Sequence, residues 1–152
     1  IQAHRLKRVA PVDFKAMHDL FQVQTQLWRL GYIWGMPRIG DAALAALDQA
    51  VVRYREALAE EQLLDAIRAG HAFHTIVITA SGNSELLRST LDRRSLIARF
   101  ILLHGRATLS RKGLRNHEGI LQSLRRGQED DALTRLDLMA RRLILLTVKS
   151  SH

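Results

Sequence analysis

Histidine supplies most of the chemistry open to this chain. There are seven histidines and no cysteine in its 152 residues. Thiolate catalysis, disulfides and cysteine-based zinc or iron–sulfur sites are therefore excluded. Two histidines stand out by position. His74 shares steps of three and four with Leu63, Ile67, Gly70 and Ile78, and His117 does so with Leu114, Leu121 and Leu124. On helices, that spacing turns both imidazoles inward. One inward histidine is usually an ordinary core residue. Two on different helices of a small bundle set a metal or anion site against simple packing. Protonation of either would favour an anion. His71, three residues before His74, is close enough on a helix to share a metal. A His-x-x-His pair is a weak signal, and the helical His-Glu-x-x-His pattern is absent.

Other chemistry is thinly represented. No glycine-rich phosphate loop and no Gly-x-Ser-x-Gly elbow occur. Paired inward carboxylates, which general-acid or di-iron bundles need, are missing. Asp65, Asp92 and Glu118 fall at positions where exposure is the default. Thr79, Ser81 and Ser84 lie by a helix end, where capping explains them. Nothing here supports an enzyme.

The elements that must position the histidines all read as helices. Asp13 can cap the first, over about Asp13 to Tyr32, with Phe14, Met17, Phe21 and Trp28 at helical spacing and Gln24 on the same stripe. Gly31 and Gly35-Met36-Pro37 mark its end. A second follows Gly40-Asp41, with Leu44, Leu47, Val51, Tyr54 and Leu58. A third spans about Gln62 to Ala80. Gly82 suits its left-handed C-terminal position, and Asn83 or Ser84 can cap the next. The fourth is expected from about Glu85 to His104 as one helix. Ser110 to Gly113 reads as a polar break, the fifth helix as Leu114 to Arg126, and the sixth as Asp130 to Lys149. The fold class expected is all-α, an antiparallel bundle of six to seven helices. Residues 1–11 read as a linker or arm, and 12–149 as the domain. No segment reaches the roughly 18 apolar residues that a membrane span needs.

Charge adds a partner class. The 23 basic and 15 acidic residues give +8. Eight bases between Arg88 and Arg115, including Arg99, face one acid, Asp92. Such a balance favours anionic partners. Aromatic residues do not interleave with these bases, which argues against a single-strand stacking platform. A solvated basic face is the plainer reading.

The run Ala69-Gly70-His71-Ala72-Phe73-His74, followed by Thr75 through Ser81-Gly82-Asn83, resembles the Phe-His … Ser-Gly-Asn signature of the FCD domain. That is the effector-binding domain of FadR-type GntR transcription regulators. Asn116-His117-Glu118-Gly119-Ile120-Leu121 resembles the family's acidic-His … Ile-Leu segment. Gly127 through Ala132 to Leu136 resembles the segment that follows, and the resemblance covers about residues 9–148. The family's first helix often carries Arg-x-x-Leu-Glu, where this chain has Gln24 and Trp28.

The resemblance implies a cytoplasmic, homodimeric regulator. A winged helix-turn-helix preceding this chain would bind DNA, and a small molecule, often a carboxylate, would enter the bundle. Metal-binding members place an acidic residue four before the Phe-His histidine, then that histidine, then two more. Here those positions are Gly70, His74, His117 and Met139, or Arg142 with a longer loop. With two ligands lost, the metal site is degenerate. No cofactor is expected, and zinc, nickel or manganese is disfavoured. The effector pocket is expected from His74, His117, Met139, Gln24, Arg99 and Arg142. The alternative is a helical protein-interaction or dimerisation module without a ligand.

Overall fold

A computed structural model describes residues 13–149; the arm expected over 1–11 lies outside them. The helices are α1 (Phe14–Gly35), α2 (Asp41–Ala59), α3 (Leu63–Ala80), α4 (Ser84–Leu91), α5 (Arg94–His104), α6 (Arg111–Arg125) and α7 (Glu129–Lys149). Short 3-10 turns cover Met36–Arg38 and Arg106–Thr108. No strand occurs among the described residues, so the all-α expectation holds.

Local chemistry sets the helix ends. The Asp13 carboxylate accepts from the Ala16 amide at 3.2 Å, and the Asn83 side chain accepts from the Leu86 amide at 2.9 Å. Both satisfy amides that no helical carbonyl can reach. Gly82 takes φ +71° after α3 and Gly127 takes φ +67° after α6. Glu129, Asp130 and Asp131 occupy the first turn of α7, where the helix dipole favours negative charge.

Three boundaries depart from the sequence reading. α1 runs through Gly31 to Gly35, because both glycines sit where α1 crosses α3. A Cβ on Gly31 would stand 2.5 Å from Cγ1 of Ile78, and one on Gly35 would strike the Val77 carbonyl oxygen. These glycines permit a close crossing and do not stop the helix. The expected fourth helix is two helices, broken at Asp92-Arg93. The side chain of buried Gln24 donates to the Thr90 carbonyl at 2.8 Å, so a tertiary bond takes up a carbonyl at the end of α4. No glycine or proline marks that break. Finally, α6 begins at Arg111, inside the stretch expected as a polar break, with the Leu114 amide bonded to the Ser110 carbonyl at 2.9 Å.

The core forms two clusters. One gathers Tyr32, Leu47, Phe73, Val77, Ile120 and Leu136 from α1, α2, α3, α6 and α7. The other gathers Met17, Phe21, Ile67, Ile97, Phe100 and Ile101 from α1, α3 and α5. Helix α3 contributes to both, and it carries His71 and His74.

Candidate functional site

Between the two clusters lies a cavity of about 420 Å³, within the usual range for small-molecule sites. Trp28, Ile67, Ile101, Leu136, Leu143 and Leu146 give it apolar walls. Its polar lining comes from His71, His74, His117, Tyr54, Asn116, Lys112 and Arg142, together with the Thr108–Ser110 turn. The helical spacing that turned His74 and His117 inward therefore brings them to one cavity. Their ring centroids are 5.5 Å apart.

Each imidazole is held differently. His74 stacks on Trp28 at 4.9 Å, and its Nδ1 shares a 2.8 Å hydrogen bond with the Tyr32 hydroxyl. His117 packs edge-on to Phe73, and its Nδ1 lies 2.9 Å from the Gly113 carbonyl. A carbonyl can only accept, so Nδ1 of His117 carries the proton and donates. Its Nε2 is then a bare lone pair, buried and without a hydrogen-bond partner among the described residues. Nε2 of His71 is buried and unpartnered as well.

Burial keeps all three rings neutral. It lowers the pKa of His71 to about 4, with help from the positive charge of Arg94 and from His117. It also lowers that of His74, again aided by the neighbouring histidines. His117 is lowered by burial against the opposing effect of its Gly113 bond. Burial likewise pushes the Tyr54 phenol up to about 12. The sequence suggested that a protonated histidine would attract an anion; in this interior the uncharged form is favoured. Positive charge at the cavity comes from Lys112 and Arg142, neither of which forms an ion pair among the described residues.

The other expected site residues divide. Gly70, Met139 and Arg142 line the cavity with the histidines. Gln24 does not: its amide is spent on the Thr90 carbonyl, and it borders a small separate cleft with His71 and Arg94. Arg99 is not among the lining residues either. Lys112, Asn116 and Tyr54 escaped the sequence reading. Lys112 was one of many bases in a charged run, and Asn116 stood only beside the histidine of interest. His18, away from this cavity, bonds Thr147 at 2.8 Å.

The lining also decides whether a metal fits. It contains no aspartate or glutamate. Where the resemblance puts an acidic ligand there is Gly70, and Met139 and Arg142 supply no imidazole. Among the described residues, no group of three His, Cys, Asp or Glu side chains could hold an ion. Neutral imidazoles without a carboxylate leave a divalent charge uncompensated, next to Lys112 and Arg142. These residues do not fit the metal of the family.

The FCD domain model matches residues 19–141. The chain belongs to the FCD domain family. A solved structure described as a transcriptional regulator (GntR family member) from Pseudomonas syringae pv. tomato str. DC3000 shares the fold. Its TM-score is 0.71 at 20% identity, covering 97% of this chain and 65% of that one. This chain thus spans about two thirds of that protein's length. No curated protein matches it significantly. Among the described residues, no helix of this FCD domain is long and apolar enough to cross a membrane.

Proposed function

We propose that this FCD domain is the ligand-sensing, dimerising part of a GntR-type transcription regulator in the cytoplasm. A small carboxylate enters the cavity. By preferring one arrangement of the dimer, it alters DNA binding by a segment outside this chain. The observation that carries this reading is a roomy cavity in an FCD fold, lined by two cations without ion-pair partners and by no acid. Exposed apolar side chains on α1 and α7, among them Val23, Trp34, Leu138 and Leu145, support a two-fold contact with a second copy.

The rival reading, an interaction module without a ligand, would suit a filled interior, and a cavity of about 420 Å³ weighs against it. The test uses the whole parent regulator and a genomic fragment that it selects. Fluorescence anisotropy is followed across a panel of carboxylates. At least one acid should change DNA affinity by about fivefold or more, and Arg142→Ala should blunt the response. A panel that leaves affinity unchanged would contradict the proposal.

A further inference from the structure

The two cavity histidines are held through the same ring nitrogen by different kinds of group. Nδ1 of His117 faces the Gly113 carbonyl at 2.9 Å. A carbonyl can only accept, so that ring carries its proton on Nδ1. Nδ1 of His74 faces the Tyr32 hydroxyl at 2.8 Å, and a hydroxyl can donate or accept. Which it does decides where the His74 ring carries its proton.

Tyr32 is fully buried and does not itself line the cavity. Burial pushes its pKa up, so the hydroxyl keeps its proton. That hydroxyl has no hydrogen-bond partner besides Nδ1 of His74 among the described residues. Were Nδ1 to donate, the hydroxyl hydrogen would be left in the interior without an acceptor, which costs free energy. When the hydroxyl donates, both atoms are satisfied, and the one proton of the neutral His74 ring sits on Nε2. Trp28 stacked on the ring at 4.9 Å and Phe73 edge-on at 5.9 Å hold it in this bond. Nε2 of His74 makes no hydrogen bond, yet it is not sealed in. Among the described residues, the buried side-chain nitrogens without a partner are those of His71 and His117. His74 lines the cavity, so its Nε2 edge is the part of the ring that meets the open space.

We infer that Tyr32 is a positioning residue for the cavity: by donating to Nδ1 of His74 it fixes the proton on Nε2 and presents a neutral N–H donor at the cavity wall. The two imidazoles are thereby locked in opposite tautomers. For the ligand this rests on the sensing proposal: an entering carboxylate meets a donor besides Lys112 and Arg142. For metal it stands alone. A nitrogen that carries a proton has no lone pair for an ion, and the lone pair of His74 is turned to Tyr32. A divalent ion would have to break that bond first.

The test is long-range proton–nitrogen correlation spectroscopy of the 152-residue chain, its histidines nitrogen-labelled and no ligand added. The spectra read the tautomer of each ring, and His74→Gln and His117→Gln assign the signals. His74 should favour the Nε2–H form by about tenfold or more, and His117, in the same spectrum, the Nδ1–H form. Tyr32→Phe keeps the aromatic ring and removes the donor. The His74 excess should then fall several-fold while His117 stays as it was. Replacing both tyrosines by a ring-fluorinated tyrosine gives a more acidic donor of nearly the same shape. It should shift Nδ1 of His74 further in the hydrogen-bonded direction, and it maintains the test if Tyr32→Phe does not fold. Added zinc should leave the His74 signals in place. A mainly Nδ1–H His74, a ratio indifferent to Tyr32→Phe, an Nδ1 unmoved by fluorination, or zinc bound to Nε2 would each overturn the inference. None of these outcomes needs a bound acid, so the inference and the sensing proposal fail separately.

Discussion

Helix α3 carries two glycine environments with opposite meanings. At its C-terminal half, Val77 and Ile78 meet Gly31 and Gly35 of α1, and the backbones approach until no side chain fits between them. Nearer its N-terminus, a Cβ on Gly70 would meet Tyr54 and His117 at ordinary contact distances, 3.5 Å to each, beside an open cavity. At the crossing, glycine is needed so that two helices can pack. At the cavity, a side chain could replace it at ordinary contact distances. The first environment holds the bundle together, and the second keeps room in it.

Acid should separate the two regions most strongly. His71, His74 and His117 are neutral in the folded domain, with pKa values below the ordinary 6.5. Between 6.5 and those lowered values, the unfolded chain binds more protons than the folded one. Stability is therefore full above about pH 6.5 and falls as the pH drops through the lowered values, about 4 for His71. The slope can reach about 1.4 kcal/mol per pH unit for each ring that stays neutral. Urea unfolding from about pH 7.5 down to about pH 4.5 should show it, and His71→Gln should flatten the curve. A flat wild-type profile would contradict the neutral cluster.

Gly35→Ala comes next. Its Cβ would meet the Val77 carbonyl oxygen, which is backbone and cannot rotate away. A loss of about 3 kcal/mol is expected, read as a lower urea midpoint. Since it touches no titrating group, the pH profile should shift downward without changing shape. A loss well under 1 kcal/mol would show that the crossing can open.

The smallest effect has the opposite sign. Gly70→Ala replaces a helix-interior glycine where a methyl meets only ordinary contacts. It should stabilise the domain by about 0.5–1 kcal/mol. Destabilisation would mean that the cavity wall is as tight as the crossing.

The sequence was informative about faces and less so about breaks. Periodicity turned His74 and His117 inward, and Asp13, Gly82 and Asn83 marked ends that form as expected. The break at Asp92-Arg93 has no glycine or proline to announce it; beside it the Thr90 carbonyl bonds Gln24, distant in the chain. The same bond explains why Gln24 is not at the cavity. A position on an inward stripe tells which way a side chain faces and not which partner claims it. Gly31 was misleading for a related reason: a helix-ending glycine and a helix-crossing glycine look alike until the second helix is in place. Lys112 belongs to the cavity because α6 starts at Arg111, earlier than the sequence reading placed it, which sets Lys112 one helical step of four before Asn116.

Thermal unfolding of the 152-residue chain in chelator, with and without small carboxylic acids, tests the central claim most directly. An acid at about a hundred times its Kd should add about 2.7 kcal/mol. For a domain of this size that raises Tm by about 5–10 °C. A rise of that order without metal, lost in Arg142→Ala, is the predicted result. An unchanged Tm with every acid, or a rise that appears only when zinc or manganese is supplied, would contradict a metal-free sensing cavity.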